Sequence, residues 1–159
     1  FEGRHYPTTF ESVIKYKLMR VVAYNIQEFE KETLAKANAK VHDLTLISNP
    51  LNLETIRYAE GKEVVIVSAD DNLDRHLLDA LQQIGVKKII TRSVTLDHID
   101  LLYAGQLGLH IANTPLNDQT PQSIAHQTIA NLNSWINNQC LGQACHCAFQ
   151  CAQKKESLL

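Results

Sequence analysis

The chain has 159 residues, 45% of them hydrophobic and 20% charged, and a formal net charge of -2. A compact fold of this size removes roughly 70% of its unfolded surface from water, so one core holds without disulfides or metal. Fifteen basic residues against seventeen acidic ones, with no basic block, exclude a nucleic-acid partner held by charge, and no apolar run approaches the roughly 20 residues that span a bilayer.

Residues 1–18 mix aromatic and charged side chains without a period and read as an N-terminal extension. The pattern changes at Met19. Residues 19–24, MRVVAY, form a short β-branched run suited to a strand buried on both faces. Phe29, Leu34 and Ala37 then recur at helical spacing as an apolar stripe, and Glu28, Glu30 and Glu32 bring acid to the start of that helix, where its dipole favours it. The alternation repeats, with strands predicted at 42–47, 63–67, 88–91 and 110–112 and helices at 53–59, 72–84 and 98–107. Asn49-Pro50 stops one strand, and Gly61, Gly85 and Gly108 stand where helices end in a left-handed cap.

Strands alternating with helices over short links imply a parallel sheet covered by helices on both faces. Ligands meet such sheets at the loops after the strands, here 25–27, 48–50, 68–71, 93–97 and 113–115. A polar bridge at 116–122 leads to a helix at 123–137, whose Ile124, Ile129, Leu132, Trp135 and Ile136 form a stripe that packs back on the sheet. The domain is therefore placed at 19–138, and 139–159 form a tail that holds all four cysteines.

Cys140, Cys145, Cys147 and Cys151 are spaced C-x4-C-x-C-x3-C with His146 among them. Thiolates so clustered are candidate ligands for zinc or an iron-sulfur centre. The usual C-x2-C is missing, and the plainer reading is a reduced, thiol-rich tail in a cytoplasmic protein. Asp70 and Asp71 bring carboxylates to the mouth of the sheet. A phosphoacceptor receiver would also need an acidic pair after the first strand and a Lys after the fifth, where this chain has Tyr24-Asn25 and Asn113-Thr114-Pro115. Helix capping by Asp70 or Asp71 is the favoured reading, and Asp97 and Asp100 read as turn and N-cap residues for the following helix. The six glycines make neither a dinucleotide fingerprint nor a P-loop, so no cofactor is expected to bind this chain.

MRVVAYNIQEFEKE, LISNPLNLET and IITRSVTLDHIDLLYAGQLGLHIANTP, within residues 19–115, resemble the substrate-binding domain of the D-2-hydroxyacid dehydrogenases, in their D-lactate dehydrogenase branch. SIAHQTIANLNSW is similar to the family's C-terminal helix, which Asn131-Leu132 and Trp135 favour; the competing alignment puts TPQSIAHQTIANLNSW on the interdomain helix that follows Asn-x-Pro. The resemblance implies a flavodoxin-like three-layer sandwich with a five-stranded parallel sheet in the order 2-1-3-4-5. It also implies an NAD-dependent reduction of a 2-oxo acid to a D-2-hydroxy acid, by a His acid/base, a carboxylate and an Arg that lie on a separate cofactor domain.

In the family that domain stands between the Asn-x-Pro segment and the last helix. Here a short bridge joins the two, so the expectation is a substrate domain alone, with no catalytic residue and no promoted histidine; His98 matches the structural DHID motif. The resemblance further implies that a Val-Gly or Ala-Gly pair after the fourth strand binds the substrate carboxylate through backbone N–H groups. The matching positions are Val94 and Thr95, with Ser68 and Asp70 as further candidates at the same mouth. Thr in place of Gly raises a question of backbone strain. The expected partner is a small 2-oxo or 2-hydroxy acid, and a homodimer is the candidate assembly. The competing reading is a freestanding, non-catalytic module for small carboxylates or dimerisation, with a metal or redox tail.

Overall fold

The computed structural model describes residues 18–147. The predicted extension, Leu18 apart, and Cys151 lie outside them. Five strands, β1 (Arg20–Ala23), β2 (Asp43–Leu46), β3 (Val64–Val67), β4 (Lys88–Thr91) and β5 (His110–Ala112), form one sheet in the order β2-β1-β3-β4-β5. Every neighbouring pair is parallel. Helices α1 (Glu28–Asn38) and α4 (Pro121–Ile136) cover one face; α2 (Arg75–Gln83) and α3 (Leu101–Gln106), with a 3-10 turn at Ile56–Ala59, cover the other.

The period-2 alternation of a strand sorts the side chains into two cores. Val22, Val65, Ile89 and Ile111 meet Leu77, Leu78, Leu81 and Ala104 on one face. Val21, Val64, Ile66 and Ile90 meet Leu34, Ala125, Ile129, Leu132 and Trp135 on the other. The three central strands thus carry consecutive buried residues, and β3 is apolar throughout, because neither face is left to water. The helix predicted at 123–137 is α4, begun by the Thr120 side chain on the Ser123 N–H and by Pro121 in its first turn. Gly61, Gly85 and Gly108 have the positive φ that their places after helical segments predict.

Several boundaries move for local reasons. The helix predicted at 53–59 shrinks to the 3-10 turn, because Asn52 Oδ1 accepts from the Glu54 and Thr55 N–H groups and holds the chain in a turn. Leu73 and Ile99 form a parallel bridge, with Leu73 N–H donating to His98 O and Asp100 N–H to Leu73 O. That bridge delays α2 to Arg75 and α3 to Leu101. Phe29, which shares the helical spacing of Leu34 and Ala37, is 66% exposed, since the core-facing side of α1 begins at Leu34.

The start of the expected tail belongs to the packed body. His146 N–H donates to Ile111 O and Asn113 N–H to Ala144 O, so Cys145 pairs antiparallel with Ala112 beside the edge strand β5. Ala144, Cys145 and Cys147 are buried there, which covers an edge that would otherwise present unpaired backbone groups.

Candidate functional site

The loops after the strands gather at one end of the sheet, and their polar groups fall into two clusters. The first ties the loops after β1, β2 and β3 together. Asp71 is 2% exposed, and its carboxylate accepts from the Leu51 N–H at 3.0 Å, the Ser68 N–H at 2.9 Å and the Asn25 amide at 3.4 Å. A buried carboxylate demands such donors. The favoured capping role is therefore corrected: Asp71 is a hub between loops, Asp70 is exposed, and Asp74 caps α2 by accepting from the Leu77 N–H. Asp100 caps α3 through the Tyr103 N–H, and Asp97 is an exposed turn residue ahead of that helix, as the sequence reads.

Beside this hub Arg92 forms a buried ion pair with Glu30, Nε to Oε1 at 2.7 Å. Arg92 also donates to the carbonyls of Tyr24 and Asn25, while Glu30 accepts from the Gln27 N–H at the start of α1. Asn25 takes a left-handed backbone, φ 58°, held between Arg92 and the Ser68–Asp71 loop. A cleft of about 340 Å³ opens here, lined in part by Phe29, Glu30, Ser68, Asp70, Arg92 and Ile124. Sequence reasoning missed Arg92 and Glu30; the signal was a fully ionised side chain immediately after a buried strand, a position that requires a partner.

The second cluster is Thr91 with residues 93–98, beyond Arg92 in the loop after β4, and among the described residues these make no ion pair. Thr91 Oγ1 lies 2.7 Å from Ser93 Oγ and 2.8 Å from His98 Nε2, and Ser93 Oγ donates to Thr95 O at 2.9 Å. Asn113 donates to Val94 O and Thr114 N–H to Ser93 O. Three successive carbonyls are thus turned toward the protein. The Val94 and Thr95 N–H groups donate to no described residue, and Val94 is 47% exposed. Thr95 does not have a positive φ, so its side chain meets none of the strain that replacing a left-handed glycine would bring. Burial holds the His98 imidazole below its ordinary value, with the carboxylates of Asp71, Asp97 and Asp70 opposing that shift. Of the four predicted binding residues, Val94 and Thr95 belong to this cluster, and Ser68 and Asp70 to the other.

Of the four predicted cysteine ligands, Cys140, Cys145 and Cys147 lie among the described residues and Cys151 lies outside them. Among the described residues no three His, Cys, Asp or Glu side chains are placed to hold a metal ion; Cys147 Sγ instead faces His110 Nδ1 at 3.1 Å. An open helix N-terminus favours a pyrophosphate; among the described helices Asp74, Asp100 and Thr120 fill the first turns of α2, α3 and α4. The Glu30 carboxylate stands in the first turn of α1. No described helix is long and apolar enough to cross a membrane.

Comparison with known proteins agrees with this architecture. The family model of the D-isomer specific 2-hydroxyacid dehydrogenase catalytic domain matches residues 18–145. A 2-hydroxyacid dehydrogenase homolog of Haemophilus influenzae is 31% identical over 112 residues, 70% of this chain and 33% of the relative. A D-lactate dehydrogenase of Streptococcus agalactiae is 34% identical over 113 residues, again 70% and 33%. Among solved structures, the apo D-lactate dehydrogenase of Escherichia coli superposes with a TM-score of 0.61 at 29% identity, covering 63% of this chain and 32% of that one. The pyruvate reductase of Chlamydomonas reinhardtii gives a TM-score of 0.61 at 26% identity, covering 76% and 35%. The chain spans about a third of the length of the curated relatives it matches. With the catalytic-domain match running from Leu18 to Cys145, the chain belongs to the D-isomer specific 2-hydroxyacid dehydrogenase family.

Proposed function

We propose that this chain is the substrate-domain part of an NAD-dependent D-2-hydroxyacid dehydrogenase of the D-lactate type, and that hydride transfer requires groups from outside it. Its own contribution is to hold the carboxylate of a small 2-oxo acid on the backbone N–H groups of Val94 and Thr95. The observation that carries this reading is the loop after β4: its carbonyls are bonded inward, leaving two successive N–H groups for an anion. Backbone donors fixed in this way bind a carboxylate without the reorganisation that flexible side chains would require. Ser68 is engaged with the Asp70 N–H and with Asn25, and the Asp70 carboxylate repels an anion. Both are therefore assigned to the wall of the mouth.

Titration with pyruvate, followed on backbone amide resonances, tests the binding, and NADH oxidation in the same sample tests the chemistry. The expected result is a saturable shift at Val94 and Thr95 without turnover. NADH oxidation by the chain alone would overturn the division of labour. Pyruvate shifts confined to other residues, or none at all, would overturn the carboxylate site.

A further inference from the structure

The hydroxyl and imidazole contacts behind the carboxylate loop have a single consistent arrangement of protons. Ser93 Oγ reaches the Thr95 carbonyl, which only accepts, so the Ser93 proton lies on that bond. The 2.7 Å contact between Ser93 and Thr91 must then carry the Thr91 proton. Thr91 has no proton left for His98, so the 2.8 Å contact requires a hydrogen on Nε2. The chain of donors runs from His98 Nε2–H to Thr91 Oγ1, to Ser93 Oγ and to Thr95 O.

From this we propose that His98 is a positioning residue: it sets the Thr91–Ser93 relay that pins the Thr95 carbonyl inward and so presents the Val94 and Thr95 N–H groups to a carboxylate. This rests on the proposed carboxylate site, and it adds to that site a specific tautomer and a specific donor. Thr91 is fully buried and Ser93 nearly so, which keeps water from replacing a missing link. The parallel bridge between Leu73 and Ile99 fixes the backbone just past His98. The imidazole is thereby held against β4 from its own loop.

Two measurements on the full chain separate this inference from the site it serves. The first is the long-range nitrogen-proton correlation spectrum of His98, expected to show a protonated Nε2 and a bare Nδ1; the opposite tautomer would overturn the relay whatever the chain binds. The second is the pyruvate titration repeated on His98→Gln, whose amide can donate from a comparable position, and on His98→Leu, which cannot donate. Loss of the terminal donor should weaken binding by about tenfold, the scale of one hydrogen bond, with His98→Gln staying within about threefold of the parent chain. Equal affinity in all three proteins would overturn the positioning role.

Thr91→Val and Ser93→Ala break the same chain further along with little change of shape. Either should reproduce the His98→Leu loss and provides the reading should that variant not fold. If the parent chain binds no pyruvate, the proposed site fails separately. The relay is then decided by the tautomer and by whether His98→Leu speeds hydrogen exchange at Val94 and Thr95; unchanged exchange would overturn it.

Discussion

The two halves of the mouth are built from opposite materials. Around β1 and β3 the polar groups are charges, Glu30 with the Arg92 that reaches it from the end of β4 and the buried carboxylate of Asp71, each met by partners inside the protein. Around β4 they are hydroxyls, an imidazole and backbone carbonyls, arranged so that peptide N–H groups are left over. Charges buried in pairs hold loops firmly but attract no ligand, because each field is cancelled locally. Neutral donors aimed outward give an anion a site without a full opposing charge. The first half is therefore expected to govern stability and the second binding.

The largest effect follows from breaking the ion pair. Arg92 and Glu30 have side-chain exposures of 3% and 16%, so Arg92→Met strands a buried carboxylate and strips donors from the Tyr24 and Asn25 carbonyls. Removing one partner of such a pair costs about 3–5 kcal/mol, which a urea denaturation midpoint would register directly. The double variant Arg92→Met with Glu30→Leu should recover part of that loss, because no uncompensated charge remains. A loss well below 1 kcal/mol in the single variant would erase the contrast between the two halves.

Acid should act next, on the β4 half of the mouth through His98 and on the opposite end of the sheet through His110. Burial lowers the pKa of His98, and burial with the nearby Lys88 ammonium lowers that of His110. Both groups bind protons less readily folded than unfolded. Their contribution to stability is complete above the unfolded value of about 6.5 and is lost as pH falls through the lower folded values. Unfolding midpoints measured between pH 7.5 and 5.5, above the carboxylate range, should therefore drop on acidification. His98→Gln and His110→Gln should each flatten that slope. A midpoint that rose with acid would show the imidazoles to be better solvated than their surroundings imply.

The sheet was legible because its cause is local. β4 and β5 have the predicted limits, since Ile89-Ile90 and Ile111-Ala112 are short apolar stretches bounded by turn signals. The strand order followed from the resemblance and agrees with the observed one. What escaped the sequence is what depends on distant residues. Glu30 meets Arg92 across 62 positions, and Asp71 finds the Leu51 N–H 20 positions away. Leu73 pairs with Ile99 in place of starting a helix. Residues 144–146 dock on β5 through backbone bonds, a contact with no hydrophobic period to announce it. Phe29 is exposed without a local sign of it, because helical spacing locates a stripe without saying which end of it reaches the core.

The smallest effect is the most pointed test of how tightly the β4 side is wired. Thr114 is fully buried next to that loop, and its N–H donates to Ser93 O, yet its hydroxyl has no hydrogen-bond partner among the described residues. Desolvating a hydroxyl without compensation is unfavourable. Thr114→Val keeps the shape and the backbone bond and removes the orphan oxygen, so it should stabilise the chain by about 1 kcal/mol or less. Pyruvate binding should stay unchanged, because no link of the His98–Thr91–Ser93 chain passes through that oxygen. A destabilised Thr114→Val would mean that the hydroxyl is engaged in solution, and the inward wiring of this loop would then extend one residue beyond the contacts described.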